Sequence, residues 1–304
     1  MGEAKIEFRE RPSCPSCQGK EWVSVWSGKF SDQSVSDFID RFHYSSNANS
    51  ALGDQPFDLV KCAHCRLMYH RIVMSDEAIP KVYSEWTDST QVERFEQTHG
   101  RAEDFQVGVF RTKLILRMKK LLDGRFSDPL RLLDFGCGSG QTIAQASMFG
   151  FNAQGIDVSL TRAEQASILN CQVFADLNAF DSYGGGKVHA VILEQVLEHL
   201  MDPLEMLSAL RDRMEPGGII YIAVPNCAGT TVPKDFADFH NVQPVEHVNA
   251  FTPDTLSTLV ENAGFTKIKW PSVFVSPDLK GAVRTVAGMI YRPENTEQFF
   301  RLTN

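Results

Sequence analysis

The sequence lacks the features that would direct it to a membrane, to a secretory route or to nucleic acid. No stretch of its 304 residues approaches the ~20 consecutive apolar residues of a membrane-spanning helix. The first residues are charged and lack the apolar segment of a secretory signal, so a cytoplasmic protein is expected. Lysine and arginine total 30 against 38 acidic residues. The resulting net charge of −8 disfavours a large DNA or RNA partner, which a basic surface would attract.

Cysteine is scarce, with seven residues, but four of them form the two close pairs CPSC (14–17) and CAHC (62–65). In a reducing compartment, paired cysteines are more often metal ligands than disulfides. Each pair can place two thiolates on one ion, and four thiolates complete a tetrahedral zinc site. We therefore predict one structural Zn²⁺, with the insertion 27–56 looping out between the pairs; free thiols are the alternative. The predicted ligands are Cys14, Cys17, Cys62 and Cys65.

Strand-like and helix-like segments alternate from residue 130 onward, beginning with RLLDF (131–135) and GQTIAQASMFG (140–150). Regular alternation of this kind predicts an α/β fold with a doubly wound, mostly parallel sheet and helices on both faces. A seventh strand is expected after residue 271. The predicted organisation is a small zinc-ribbon-like module at 1–75, a helical connector at 76–125 and the α/β domain at 126–304.

The segment LLDFGCGSG (132–140) runs from a strand into a glycine turn of the kind that binds nucleotides. Gln141 and Thr142 follow the turn, so it has no lysine for a triphosphate. Gln141 also stands where the dinucleotide fingerprint needs its third glycine. Asp134 would oppose a pyrophosphate but suits a cationic ligand. S-adenosylmethionine (SAM) is such a ligand, because it carries an ammonium and a sulfonium group and no phosphate.

Two further aspartates follow the next strands. Asp157 ends GID about 20 residues after the turn, where a carboxylate can accept both ribose hydroxyls. Asp176 follows the predicted strand CQVF (171–174) and can accept from an adenine amino group. Both acids can instead serve as helix caps or solvated loop ends.

These motifs together resemble class I SAM-dependent methyltransferases over roughly residues 105–270. The resemblance rests on five ordered elements: LLDFGCGSG, GIDVS, VILEQVLEHLMDP, PGGIIYIAVPN and EHVNAFTPDTLSTLVENAGF. It implies a Rossmann-like methyltransferase fold in which each cofactor-binding residue has a defined role. Asp134, Gly136, Gly138 and Gly140 would surround the methionine part, Asp157 would bind the ribose, Val158, Asp176 and Leu177 would flank the adenine, and Glu194 and Gln195 would close the pocket floor.

A cysteine-ligated zinc module before a SAM domain resembles bacterial methyltransferases that act on nucleotide-linked sugars, and related tailoring enzymes. The resemblance implies a small polar acceptor, such as a nucleotide-linked sugar or a polysaccharide or secondary-metabolite precursor. In the sugar C-methyltransferases a later motif reads Tyr-His-Glu-His, whereas this chain has only Glu246-His247. An RNA or protein methyltransferase and a non-catalytic SAM-binding scaffold are the alternatives. The oligomeric state stays open.

The acid–base candidates lie in the segment 226–251, which follows the predicted strand PGGIIYIAVP (216–225). His247 is the first candidate base, Glu246 would orient it or act in its place, and His240 is the third. The pair Glu246-His247 can also brace the loop. Ubiquinone-type O-methyltransferases have a Glu-Glu-His region near a divalent metal. In this sequence Glu194, Glu198 and His199 partly match that region, and a structural role for Glu198 and His199 is the alternative.

Overall fold

The computed structural model describes residues 6–42, 44, 47–75, 78, 82, 86, 101–127, 129–273, 283 and 294–303, except the side chains of 101–105 and 160. Its strands are β1 Phe8–Glu10, β2 Trp22–Lys29, β3 Pro56–Cys62, β4 Met68–His70, β5 Ile72–Met74, β6 Leu130–Phe135, β7 Phe151–Ile156, β8 Gln172–Phe174, β9 Val188–Glu194, β10 Met214–Ala223, β11 Asn249–Ala250, β12 Phe265–Ile268 and β13 Glu297–Leu302. Its helices are α1 Gln33–Arg41, α2 Asn47–Leu52, α3 Arg101–Leu122, α4 Gln141–Met148, α5 Leu160–Ile168, α6 Leu177–Ser182, α7 Pro203–Arg211, α8 Phe236–Val242 and α9 Pro253–Asn262. The first part of the predicted helical connector, residues 76–100, falls largely outside the described residues.

Packing divides the chain into two compact units. The first unit comprises Met1–Gly100, Glu198–Pro203 and Pro225–Thr258, and the second comprises Arg101–Leu197, Leu204–Val224 and Leu259–Asn304. The first unit is therefore larger than the predicted module at 1–75, because two later segments join it. Helix α3, predicted as part of a connector, belongs to the second unit. None of the described helices combines the length and apolar character needed to cross a membrane.

The second unit contains a seven-stranded sheet in the order β12-β13-β10-β9-β6-β7-β8, counted over the described residues. The strands from β10 to β8 are parallel, whereas β13 runs antiparallel to both β10 and β12. The predicted mostly parallel sheet is thus confirmed, and β13 is the strand expected after residue 271. Parallel strands are covered on both faces, which explains the nearly continuous apolar runs in β9 and β10.

Helix α3 packs on this sheet through residues at helical spacing. Leu114, Ile115 and Met118 are fully buried in one cluster with Ile192 of β9 and Tyr221 of β10. These positions recur at helical spacing, so they form one buried face of the helix. The helix thereby also brings its polar face into the same unit as the glycine turn.

The first unit is built on an antiparallel sheet in the order β11-β4-β3-β2, with a separate pair of β1 and β5. The insertion 27–56 does not simply loop out as expected, because it contains α1 and α2. Val35, Phe38 and Ile39 fall at helical spacing and are buried, so this short segment has an apolar face of its own. The surrounding Ser, Asp and Asn residues concealed that pattern in the sequence.

Candidate functional site

The glycine turn connects β6 to α4 and requires its glycines. Gly136, Gly138 and Gly140 have φ angles of 82°, 54° and 75°, a left-handed region that residues with a Cβ rarely adopt. A Cβ on Gly136 would lie 2.5 Å from Val196 Cγ2, and one on Gly140 would lie 2.8 Å from the Cβ of Ala166. Gly136 and Gly140 therefore allow the backbone of the turn to pack directly against Val196 and Ala166.

Asp157 follows β7 and is bonded to this turn. Its Oδ2 accepts the Gly138 N–H at 2.8 Å, and its Oδ1 accepts the Ser159 N–H at 2.8 Å. Two backbone donors fix the carboxylate beside the turn, and each oxygen keeps further acceptor capacity. Ser159 in turn caps α5 by accepting from Arg162 N–H. The sequence predicted that Asp157 serves a nucleoside; it did not predict the bond to Gly138.

Asp134 is the acid at the end of β6, and its side chain is only 4% exposed. Burial first, and then the neighbouring Glu194 carboxylate, raise the pKa of Asp134 to about 7. Burial also raises the pKa of Glu194 at the end of β9. Because β6 and β9 are adjacent parallel strands, their carboxyl ends bring the two acids to one edge of the sheet. This edge is acidic, which suits a cationic ligand.

Arg111 is a site residue that the sequence analysis missed. It lies on α3, and its Nη1 donates to Gln141 Oε1 at 2.6 Å, at the first residue of α4. Its positive charge lowers the pKa of both Asp134 and Glu194, opposing the effect of burial. The sequence of α3 gives no signal that this arginine meets the glycine turn.

Three other predicted cofactor residues differ in their surroundings. Asp176 is the N-cap of α6 and accepts the Ala179 N–H at 2.7 Å. This is the helix-capping role that the sequence left open as the alternative. Val158 is 74% exposed, so an apolar side chain faces solvent next to Asp157. Gln195 follows Glu194 with a φ of 54°, in the left-handed region that non-glycine residues seldom adopt.

The four paired cysteines come together in the first unit. Cys14 Sγ lies 3.5 Å from Cys65 Sγ, and Cys17 Sγ lies 3.5 Å from Cys62 Sγ, so each contact joins one pair to the other. All four sulfur atoms lie within 4.8 Å of one another. Backbone bonds close each turn, from Gln18 N–H to Cys14 O and from Arg66 N–H to Cys62 O. Four convergent thiols fit a tetrahedral metal ion.

The predicted acid–base residues also lie in the first unit, and they are buried. Glu246 is 8% exposed and accepts a short hydrogen bond from the Tyr44 hydroxyl, which the sequence analysis did not single out. His247 is 5% exposed, and burial, followed by the nearby His199, lowers its pKa well below the usual 6.5. The ring of His240 lies 5.3 Å from that of His247, between centroids. The three predicted residues therefore form one cluster.

Comparison with known proteins identifies a family for residues 109–269. The family described as Methyltransferase domain matches residues 109–269, which is more than half of the chain. The chain belongs to this methyltransferase-domain family. Ubiquinone biosynthesis O-methyltransferase of Brucella anthropi is 32% identical over 105 residues, covering 33% of this chain and 42% of that protein. The enzyme of the same name from Dinoroseobacter shibae is 28% identical over 167 residues, covering 49% of this chain and 64% of that protein.

This methyltransferase-domain protein thus spans less than two thirds of the length of those curated relatives. Among solved structures, the plantazolicin methyltransferase BpumL in complex with SAH is similar, with a TM-score of 0.51 and 16% identity. The similarity covers 75% of this chain and 95% of that one. At this level of identity the comparison establishes the fold, and the Rossmann-like methyltransferase architecture predicted from the motifs is confirmed.

Proposed function

We propose that this chain is a SAM-dependent methyltransferase that methylates a small polar metabolite, such as a nucleotide-linked sugar or a polysaccharide or secondary-metabolite precursor. One observation carries the proposal: the glycine turn is bonded to Asp157 and adjoins the buried carboxyl of Asp134. Family membership supports it. The N-terminal cysteine cluster supports the comparison with zinc-containing sugar methyltransferases.

The second unit has the groups that SAM requires, namely carboxylates that accept from its ammonium and hydroxyl groups and a cation for its carboxylate. At Gly138 an added Cβ would meet only Arg162 Nη1, at 3.7 Å, so this part of the turn leaves room for a ligand against its backbone. Asp134 would hold the ammonium group, and a bound cation there would offset the burial that now raises the pKa of the carboxyl. Arg111 would supply the complementary charge for the ligand's carboxylate. Asp157 would accept from the ribose hydroxyls.

The remaining predicted cofactor residues would complete the site. Val158, Asp176 and Leu177 would flank the adenine, with Asp176 also capping α6. Glu194 and the strained Gln195 would close the floor.

Bound SAM supplies a methyl group on a sulfonium, and the protein's task is to position an acceptor and remove its proton. His247 is proposed as the base, with Glu246 orienting it or replacing it and His240 as the third candidate. Burial keeps the His247 imidazole neutral near pH 7, so it can accept a proton. The hydrogen bond from Tyr44 holds Glu246 in place.

The names of the relatives bear on which atom accepts the methyl group. The curated relatives are named O-methyltransferases, which favours a hydroxyl oxygen over carbon or nitrogen as the acceptor. An RNA or protein acceptor and a non-catalytic SAM-binding subunit are the competing functions, and one labelling experiment separates them.

The test combines calorimetry with methyl transfer from labelled SAM. We expect Asp157→Ala to weaken SAM binding at least tenfold, because it removes both the ribose acceptor and the bond to Gly138 N–H. Asp157→Asn keeps one acceptor oxygen and should fall between this variant and wild type. Asp123→Ala removes an exposed acid of the same unit and is the matched control.

The label is then followed into the small-molecule, RNA and protein fractions of a cell extract. Incorporation into the small-molecule fraction, lost in Asp157→Ala, is the expected result. Wild-type SAM affinity in Asp157→Ala would contradict the cofactor assignment. SAM binding without transfer to any fraction would favour the scaffold, and transfer to RNA or protein would replace the proposed substrate class.

A further inference from the structure

Arg11 is a buried cation in the first unit that the proposed methyl transfer does not use. It follows β1, is 5% exposed, and its backbone N–H donates to Arg71 O at 2.8 Å. Burial lowers the pKa of Arg11 to about 10. A guanidinium removed from water is costly unless partners replace its hydration, so the groups around it indicate what its burial achieves.

The guanidinium of Arg11 holds three segments of the first unit together. Its acceptors are five groups on segments that lie far apart in sequence: His70 O, Leu200 O, Met201 O, Val248 O and Asn249 Oδ1. The bonds to Val248 O and Asn249 Oδ1 are both 3.1 Å long. A guanidinium has five N–H donors in one rigid plane, so a single side chain can bind this many carbonyl groups.

These contacts lie beside the proposed acid–base residues. We call residues 246–250 the acid–base segment, because it contains two of them. Its Asn249 N–H donates to Glu198 O at 3.0 Å, and its Val248 O accepts from His70 N–H at 2.9 Å. The acid–base segment is therefore attached both to β4 and to the stretch that carries Glu198, and the guanidinium contacts all three. A displacement of the guanidinium would loosen the acid–base segment first.

Arg11 is also close to the cysteine cluster. It lies three residues before Cys14, and against the effect of burial the charges of Asp202 and of Cys14 raise the pKa of Arg11. Its guanidinium carbon lies 5.6 Å from the centroid of the Tyr69 ring. Burial, and then the charges of Cys14 and Cys62, raise the pKa of Tyr69. Both cysteine pairs therefore act electrostatically on the surroundings of Arg11.

The hydrogen-bond partners of Arg11 are uncharged, whereas the cysteine cluster is a source of negative charge. The groups that accept from Arg11 within the described part of the chain are all carbonyl or amide oxygens. The Asp202 side chain is 63% exposed, and its Oδ2 lies 3.9 Å from Arg9 Nη2. A divalent ion bound by four thiolates has a net charge of about −2. Binding of the ion would therefore add the countercharge that a buried guanidinium requires, and its loss would let the thiols take up protons and remove that charge.

We propose that Arg11 is a positioning residue through which metal binding at the four cysteines fixes the acid–base segment. With the ion bound, the guanidinium stays buried and holds Val248 and Asn249. Without it, the guanidinium moves towards water and releases them, and methyl transfer slows. The effect on catalysis rests on the proposed function, whereas the link between the cysteines and the acid–base segment is a property of the first unit alone. The residues proposed to bind SAM belong to the second unit, so SAM affinity should not depend on this link.

The first test is amide hydrogen exchange in the full-length chain, measured with Zn²⁺ bound and after treatment with a chelator. In wild type, removing the metal should speed exchange of the Asn249 amide at least tenfold. In Arg11→Gln, the same treatment should change that rate less than threefold, because the link is already broken. Arg41→Gln replaces an exposed arginine of the same unit and should respond as wild type does. The amides of α1 are the reference and should keep their rates.

Three results of this measurement would overturn the proposal. The first is an Asn249 rate that does not respond to the metal in wild type, and the second is an equal response in Arg11→Gln. The third is equal acceleration throughout α1, because it would show that loss of the metal unfolds the whole first unit instead of releasing one segment.

The second test is methyl transfer by Arg11→Lys with Zn²⁺ bound. Lysine keeps the charge near the cysteines, but its single ammonium group cannot span the five acceptors. With labelled SAM and the small-molecule fraction of a cell extract, the rate at saturating SAM should fall at least tenfold, while metal content and SAM affinity should equal those of wild type. A residue needed only for stability would lower the unfolding midpoint and leave this rate unchanged.

A rate within threefold of wild type in Arg11→Lys would overturn the positioning role. A wild-type chain that transfers no methyl group would instead contradict the proposed function, and the exchange measurement would still decide whether the cysteines and the acid–base segment are linked.

Discussion

Gly136→Ala tests whether the glycine turn is as constrained as its geometry indicates. The substitution places a Cβ at a φ of 82° and 2.5 Å from Val196 Cγ2, well inside the 3.5–4.0 Å that carbon atoms prefer. The left-handed conformation costs about 1–2 kcal/mol for a residue with a Cβ. The overlap with a fully packed neighbour adds about 1–3 kcal/mol. We therefore expect the free energy of unfolding to fall by about 2–5 kcal/mol.

The structure provides a close control for this experiment. Gly184 has the same φ of 82°, but a Cβ there would find nothing within 4 Å. Gly184→Ala should therefore lose only the conformational part, about 1–2 kcal/mol. Urea unfolding followed by circular dichroism measures both variants, and their difference isolates the contact with Val196.

A double-mutant cycle completes the argument. Val196→Ala removes Cγ2 and leaves the Val196 Cβ 3.9 Å from the new methyl group, an ordinary contact. In the background of Val196→Ala, the cost of Gly136→Ala should fall to that of Gly184→Ala. Equal losses for Gly136→Ala and Gly184→Ala in the wild-type background would refute the steric explanation, as would the absence of coupling to Val196.

Two other predictions concern charge and metal. Burial raises the pKa of Asp134 from 3.8 to about 7, so the folded state binds more protons than the unfolded state and the free energy of unfolding should decrease as pH rises from about 4 to 7. In urea titrations, Asp134→Asn should remove about 4 kcal/mol of that decrease. An unchanged pH dependence in this variant would contradict the burial argument. By metal analysis, Cys17→Ser should lose one thiolate-bound zinc per chain, whereas Cys171→Ser, which lies outside the cluster, should keep it. Equal zinc content in the two variants would argue against the four-cysteine site.

The sequence by itself determined the parts of this protein that depend on local pattern. The alternation of apolar strands and helices predicted a mostly parallel sheet, because each helix serves as the crossover between two parallel strands. The resemblance to class I methyltransferases then predicted one site for Asp134, Glu194 and the glycine turn. The two CxxC pairs also predicted metal ligands from local sequence, because two cysteines separated by two residues can bind one ion whatever the rest of the chain does.

Tertiary structure alone decided the contacts between residues far apart in sequence. Arg111 reaches Gln141 only because α3 packs across the sheet, and nothing in its own helix distinguishes it from other surface cations. The insertion 27–56 was expected to be a loop because its polar residues conceal a short apolar face. Glu198 and His247 are nearly fifty residues apart, and the bonds made by Arg11 and Asn249 bring them together. Sequence spacing reports chemistry along one element, whereas a site built from several segments depends on how the chain packs.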